Sequence, residues 1–375
     1  MKEGWTYKRF TDCIDKVSKQ KQVKSKDYKS SGKYPIVSQE KELISGYWDD
    51  NSYLFKHEKP IIIFGDHTKE IKYIDFDFVV GADGTQILSP KEGIDSKFFY
   101  YTLVATPLRT LGYARHFKLL KEKSIPIPPL SEQKEIVSHL DTAFAQIDAL
   151  KANAEKQLSE ARNLFQKALE EAMKPQKGWE ENKIGDCFLS INNGANIKQI
   201  KGAGGIPITR IETLSNDKFN RDRLGFADIE SSNKYKNYIL NDGDILMSHI
   251  NSMKFLGRSV IYKKTGEEII IHGMNLLRLI PKDFLCSEFA NYFFYDKSFR
   301  KQILTISHQS VNQASFNVTN LKGLKIYIPS IAEQQQIVSR LDSLSEIVRE
   351  LEEMQRKTIA ECDALKQAIL REVFE

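Results

Sequence analysis

The chain lacks any apolar run near the ~18 residues that a membrane-spanning helix needs, and its opening, Met1 to Tyr7, is polar, so a soluble protein is expected. Its four cysteines, Cys13, Cys187, Cys286 and Cys362, form no Cys-x-x-Cys pair and no secreted framework. A reducing, cytoplasmic setting follows, with Cys13 and Cys187 read as small buried residues. No Gly-x-x-x-x-Gly-Lys-Ser/Thr loop occurs, and Gly202-Ala203-Gly204-Gly205 lacks the lysine that would reach a nucleotide phosphate. Ile127-Pro128-Pro129-Leu130 lacks both ends of the Asn/Asp-Pro-Pro-Tyr/Phe motif that holds a flipped adenine. The histidines show no metal-ligand spacing. Asp66-His67-Thr68 beside Asp75 and Asp77 has no nucleophile elbow, and aspartates alternating with Ile and Phe suit the solvent face of a strand. These absences predict a chain that is not itself an enzyme and holds no metal or cofactor.

What is present is repetition. Ile127-Pro128-Pro129-Leu130-Ser131-Glu132-Gln133-Lys134-Glu135-Ile136-Val137 returns as Ile328-Pro329-Ser330-Ile331-Ala332-Glu333-Gln334-Gln335-Gln336-Ile337-Val338, offset by 201 positions (328 − 127), with no gap as far as Leu169/Leu370. A second echo opens each half: Gly4-Trp5 with Asp12-Cys13 answers Gly178-Trp179 with Asp186-Cys187, at offset 174 (178 − 4). The second half is therefore longer by 27 residues (201 − 174), all between the repeated frames. At 375 residues, 41% hydrophobic and 28% charged, the chain has room for two to three domains.

Net charge is partitioned by the repeat. It is +5 for residues 1–130, −2 for 131–174, +6 for 175–330 and −4 for 331–375. The repeated segments are acidic and the divergent ones basic, which places any polyanion contact on the divergent segments. Surface scatter of charge is the simpler alternative.

From Ser131 to Lys174 there is no Gly or Pro, and apolar residues recur in steps of three and four: Ile136, Leu140, Phe144, Ile147, Ala154, Leu158, Ala161, Phe165, Ala168 and Ala172. Lys151 interrupts this seam, and Pro175 with Gly178 ends the helix. The second copy runs Ile337, Leu341, Leu344, Val348, Leu351, Cys362, Leu365 and Ile369, interrupted at Gln355 and Thr358, and Ser330-x-x-Glu333 fits a capping box. Helices this long predict a coiled coil, most simply one helix against the other, antiparallel, with effectively circular topology.

Each divergent segment reads as mixed α/β, with strands at Pro60–Asp66, Phe76–Gly81, Ile245–Met247 and Gly257–Tyr262 and helices at Ser96–Leu111 and Glu288–Leu304. Lys16, Lys19, Lys21, Lys24, Lys26, Lys29 and Lys33, interleaved with Tyr28 and Tyr34, suit phosphate contact or form a solvated loop. In the second segment Lys198, Lys201, Arg210, Arg221, Arg223, Asn251, Lys254 and Arg258 are candidates for DNA contact. His308, Gln309 and Asn312 add groups that can read base edges.

The twin Pro…Glu-Gln…Ile-Val phrases at the heads of long helices resemble the repeats of type I restriction–modification specificity subunits. Asp242-Gly243-Asp244-Ile245-Leu246, Gly65-Asp66-His67-Thr68-Lys69-Glu70 and Gly81-Ala82-Asp83-Gly84-Thr85 are similar to parts of that family's recognition domains. The resemblance implies two target-recognition domains, 1–130 and 176–330, joined by conserved helices at 131–175 and 331–375, in a pseudo-twofold α/β fold. It implies that double-stranded DNA is read as a split, asymmetric target. It also implies that the helices set the spacing and dock two methyltransferase subunits, with Glu132, Gln133, Glu333, Gln334 and the seam residues as docking and coiled-coil candidates. S-adenosylmethionine, ATP and Mg²⁺ would belong to those methyltransferase subunits and to further restriction subunits, in a prokaryotic cytoplasm. The second repeat departs from the first at Ser330, Ala332 and Arg340, where the first has Pro129, Ser131 and His139. A type IIB specificity subunit, or an architectural coiled-coil protein binding DNA without preference, are the alternatives.

Overall fold

The computed structural model describes residues 4–374 except 111, 113, 201–203, 216, 311 and 312. The chain divides into two compact units: Met1–Lys156 with Gln355–Glu375, and Gln157–Met354. Each unit holds one α/β domain and parts of two long helices, Leu130–Ala172 and Ile331–Phe374. Among the described residues no helix is long and apolar enough to cross a membrane.

The two domains share a central antiparallel sheet. In the first, the strand order is Ile14–Asp15, Thr85–Pro90, Ile61–Gly65, Ile71–Ile74. In the second it is Phe188–Asn193, Leu276–Pro281, Ile245–Ser248, Ser259–Ile261. Register is equivalent as well: Pro90 faces Ile14 as Pro281 faces Phe188, and Thr85 faces Gly65 as Leu276 faces Ser248. A small two-stranded sheet closes each domain, pairing Thr6 with Ile127 and Glu180 with Ile328.

These registers resolve where the extra 27 residues lie. The offset between equivalent positions is 174 at Cys13/Cys187, 183 at Gly65/Ser248, 188 at Tyr73/Ile261, 191 at Pro90/Pro281 and 201 at Ile127/Ile328. Every increase falls in a connection between frame elements. The largest connection builds different outer sheets. Domain 1 has strands Gln22–Lys24, Tyr34–Val37, Gly46–Trp48, Leu54–Phe55 and Phe78–Ala82 in one sheet, with parallel pairings of 22–24 and 34–37 to 78–82. Domain 2 instead has a three-stranded antiparallel sheet of Gln199–Ile200, Gly225–Ala227 and Ile206–Ile208.

Both long helices bury a seam at matching positions. Leu140, Ile147, Ala154, Ala161 and Leu169 are buried in the first, and Leu341, Gln355, Cys362 and Leu370 in the second, with Val348 half-buried. The steps of seven, with one of eight at Leu169 and at Leu370, are those of a heptad seam. Gln355, expected to interrupt the seam, lies within it, and Leu365, expected in the seam, is 49% exposed. In the first unit the helix segments are antiparallel: Lys151 Nζ lies 2.6 Å from Asp363 Oδ1, and Lys366 Nζ 2.5 Å from Asp148 Oδ1.

Four further expectations are corrected. The helix expected over 288–304 is two helices, Ser287–Tyr295 and Lys297–Ile306, because Asp296 adopts an extended backbone and its carboxylate caps the second by accepting from Ser298 N at 2.7 Å. Ser330 Oγ does accept from Glu333 N at 3.3 Å, but the Glu333 carboxylate is drawn to Trp179, so that is its partner rather than the reciprocal cap. The helix expected over 96–111 ends at Ala105, before Pro107, while Asp75 and Asp77 are exposed and Asp66 is buried, accepting from Phe117 N at 2.8 Å.

Candidate nucleic-acid interface

The frame that presents the candidate surface is built by the repeated phrases. Gln133 and Gln334 are wholly buried at the heads of the long helices. Gln133 Oε1 accepts from Asp95 N at 2.8 Å, and its Nε2 donates to Gly93 O and Pro128 O. Gln334 repeats all three bonds, to Cys286 N, Phe284 O and Pro329 O. The neighbouring glutamates accept from the opening tryptophans, Trp5 Nε1 to Glu132 at 2.8 Å and Trp179 Nε1 to Glu333 at 2.9 Å. Each indole also meets a phenylalanine edge-on, Phe98 and Phe289 respectively. Tyr101 and Tyr292 donate to Asp141 and Asp342, both at 2.6 Å, which with burial pushes both phenols up. The Glu-Gln pairs are thus intramolecular joints between helix and domain, and the buried glutamines offer no docking surface.

Cys13 and Cys187 complete this frame, donating to Arg9 O and Lys183 O, and burial pushes both thiols up to about 11. Thiols so far above neutrality are poor nucleophiles and metal ligands. Among the described residues no cluster of three or more His, Cys, Asp or Glu could hold a metal.

In domain 1, Lys19, Lys21, Lys24, Lys26 and Lys29 are all exposed. Strand Gln22–Lys24 runs beside Val80–Ala82, so Lys24 neighbours the turn at Asp83-Gly84. Lys21 and Lys29 lie over the Tyr53 and Trp48 rings at 5.2 and 5.6 Å, and Lys29 also pairs with Asp49 at 2.7 Å. The turn after strand 61–65 packs onto Gln39, whose Oε1 accepts from His67 N and whose backbone O accepts from Thr68 Oγ1. The sequence likens this turn to recognition domains of the specificity-subunit family but assigns none of its residues to DNA contact. It meets the segment before the helix at Phe117–Lys121: His116 N donates to Asp66 O at 2.7 Å, Lys69 Nζ to Thr110 Oγ1 at 2.7 Å, and Arg115 lies 3.9 Å from Asp66 and Asp83.

In domain 2, candidates far apart in sequence converge. Ile250–Asn251 pairs with Ala314–Ser315, which pairs with His308–Gln309, so Asn251, His308 and Gln309 share one three-stranded sheet. Lys254 and Arg258 flank it, 5.4 and 4.5 Å from the Phe255 ring, with Arg258 held 3.2 Å from Asp217. The remaining cations lie elsewhere. Lys198 pairs with Asp228 at 3.3 Å, and Arg210 Nε donates to Gln199 at 2.5 Å. Arg221 is engaged by Glu268, Thr265 and Lys263 O. Its hydrogen bond holds the Glu268 carboxyl down at about 2, so Arg221 is engaged within the domain. Arg223 is exposed on the turn beside it. Lys201 and Asn312 fall outside the described residues.

Along the helices Ile136, Phe144 and Ile369 pack with Tyr101, Leu140 and Leu370 in the first unit, while Phe165 and Ile337 pack with Leu169 and Leu341 in the second. Leu158, Leu344 and Leu351 are half-buried. Leu150 and Leu365 in the first unit, and Leu164, Ile347 and Met354 in the second, leave about half or more of their surface to solvent.

A duplicated frame carrying two unlike sets of polar and basic connections defines a two-domain protein whose connections vary on a constant mount. The sequence pattern of the type I restriction modification DNA specificity domain matches residues 2–160 and 176–361, and the chain belongs to that family. A Methanocaldococcus jannaschii protein, assigned provisionally as the specificity subunit of type I restriction enzyme MjaX, is 34% identical over 197 residues, 52% of this chain and 45% of its own length. The type I restriction enzyme EcoKI specificity subunit of Escherichia coli K12 is 26% identical over 313 residues, 77% of this chain and 67% of its own. The chain thus spans between about half and two thirds of the length of these relatives. A crystal structure of the HsdS subunit from Thermoanaerobacter tengcongensis shares the fold at TM-score 0.51 and 18% identity, covering 99% and 97% of the two chains. A chain from a structural study of complex assembly and conformational transition of the type I R-M system reaches TM-score 0.71 at 19% identity, covering 98% and 97%.

Proposed function

We propose that this chain is the DNA-reading specificity subunit of a type I restriction–modification complex, each domain reading one half of a bipartite, asymmetric target. The observation that carries this is one hydrogen-bonded frame, present twice, holding connections of different length and sequence. Two equal readers would favour a symmetric target; two unequal readers on equal mounts favour an asymmetric one. Lysines 19, 21, 24, 26 and 29 supply salt-dependent attraction to phosphates, and polar side chains on the connections supply base choice.

The helices set the gap between half-sites, and their exposed Leu150, Leu365, Leu164, Ile347 and Met354 are apolar surface suited to helices of methyltransferase subunits. Those partners would supply adenine-N6 methylation from S-adenosylmethionine, and restriction subunits would supply ATP- and Mg²⁺-dependent cleavage, all in a prokaryotic cytoplasm. This chain contributes target choice and assembly and no chemical step.

Mapping N6-methyladenine in the source cell tests the reading. One non-palindromic motif with a fixed internal gap, lost on deletion of the gene, is expected. A continuous palindrome, or a methylation map unchanged by the deletion, would overturn it.

A further inference from the structure

The domains differ most where two connections of the shared frame meet each other. One connection follows the central strand ending at Gly65 or Ser248; the other precedes the short helix Phe117–Lys121 or Val318–Lys322. Domain 2 is longer by five residues across the first (offset 183 to 188) and by ten across the second (offset 191 to 201). In both domains the joint is made on the equivalent acceptor carbonyl, by donors that stand one place apart relative to the short helix. The carbonyl of Asp66 accepts from His116 N at 2.7 Å, and that of His249, the residue equivalent to Asp66, accepts from Phe316 N at 3.2 Å. Domain 2 uses its added length to turn this joint into the sheet bearing Asn251, His308 and Gln309. Beneath it the His249 ring is buried against Phe316 at 6.4 Å, and its Nδ1 makes no hydrogen bond within the protein.

We propose that base choice resides on this paired-connection surface, formed by His67 and Arg115 in domain 1 and by Asn251, His308 and Gln309 in domain 2, with base edges of duplex DNA as the ligand. Reading a base needs amide, imidazole or guanidinium groups on a backbone too rigid to adapt to the wrong pattern. The domain 2 sheet meets that need: His308 and Gln309 are exposed on a strand paired through Ala314–Ser315 to the strand that extends from the central sheet. The lysines at 19–29 do not meet it, because flexible ammonium groups recognise phosphate charge and carry little sequence information. Lys198 and Arg210, engaged by Asp228 and Gln199, border the outer sheet, and Arg221 is engaged by Glu268 beside the Phe219 and Tyr262 rings.

The inference rests on the specificity-subunit reading, and its test separates the two. The full chain, with the methyltransferase partners of its own cell, would be mapped for N6-methyladenine as wild type, as Asn251→Ala, as His308→Ala with Gln309→Ala, and as Lys24→Gln with Lys26→Gln. The domain 2 variants should relax one half-site at one or more positions, lowering discrimination there about tenfold or more, with the other half-site and the gap unchanged. The lysine variant should lower methylation at every site while the motif stays the same. Domain 2 variants that keep the wild-type motif at full stringency would overturn the inference, as would loss of methylation at all sites in a variant with an unchanged melting curve. Should a variant fail to fold, the milder Gln309→Asn carries the same expectation and the same refutation. A wild-type map without a bipartite motif would instead overturn the function itself.

Discussion

Gln133 and Gln334 each spend all three hydrogen-bonding positions of a buried amide on fixing a helix to its domain. Removing the amide leaves a backbone N–H and two carbonyls without this partner, at about 1–3 kcal/mol for each that water does not reach. Gln133→Ala and Gln334→Ala should each lower unfolding free energy by about 2–4 kcal/mol, measured by denaturant titration; a change below about 0.5 kcal/mol would refute the joint. Histidine 272 gives domain 2 a second measurable property. Burial holds its imidazole at about 4, against 6.5 ordinarily, with Nε2 bonded to Leu276 O at 2.9 Å. Between those values the unfolded chain binds a proton that the folded chain does not, so stability falls as pH drops from about 6.5 to about 4 and then levels. His272→Gln should flatten that slope while remaining folded at pH 7.5, as read by melting curves across the window; an unaltered slope would show that other groups carry it. The Glu-Gln repeat was legible in the sequence as a conserved-looking phrase, but its role was not. Its partners, Trp5, Asp95 and Gly93 in one copy, lie far away along the chain, and only folding reveals that the pair faces inward.

At the scale of the helix, charge is arranged unequally on an otherwise equal frame. In the first unit Lys151 pairs with Asp363, and in the second Arg162 pairs with Glu352 at 2.7 Å. Offset 201 relates Lys151 to Glu352 and Arg162 to Asp363, so the same pair occurs in each unit with its signs exchanged. In these two pairs the first helix holds both cations and the second both anions, which disfavours either helix against a copy of itself there, while the Lys366–Asp148 pair runs the other way. Lys151→Glu should lower stability by up to about 1 kcal/mol, and Lys151→Glu with Asp363→Lys should restore it; additivity of the two single effects would show that the pair contributes nothing. The helices themselves were readable because 3.6-residue periodicity survives for more than 40 residues without Gly or Pro. Seam membership was less so. Gln355 is admitted because its step matches that of Ala154 in the repeat, while Leu365, like its equivalent Leu164, lies outside the buried set. Apolar character alone therefore misassigned Leu365 and polarity Gln355, and the spacing passed over the buried Leu169 and Leu370 for the half-buried Ala168 and Ile369.

At the scale of the molecule, the repeat offset of 201 describes the mounts and the changing offset within each domain describes the readers. The central sheets were only partly legible, since short buried strands such as Ile61–Gly65 announce themselves by apolar runs, whereas their pairing across 20 or more residues does not. The convergence of Asn251 with His308 and Gln309 was illegible for the same reason, though all three were singled out individually. If the helices set the gap, it should respond to their length and to nothing on the connections. Inserting one heptad after Leu158 and another after its equivalent, Ile359, preserves the seven-residue step and lengthens each helix by ~10 Å at 1.5 Å per residue. With ~3.4 Å of duplex per base pair, the methylated motif should gain about three base pairs in its gap while both half-sites keep their sequence. Insertion into one helix alone breaks the matched seam and should instead reduce stability and methylation together. An unchanged gap in the doubly lengthened, folded protein would show that DNA spacing is set elsewhere, and altered half-sites would show that the helices take part in reading as well as in mounting the domains.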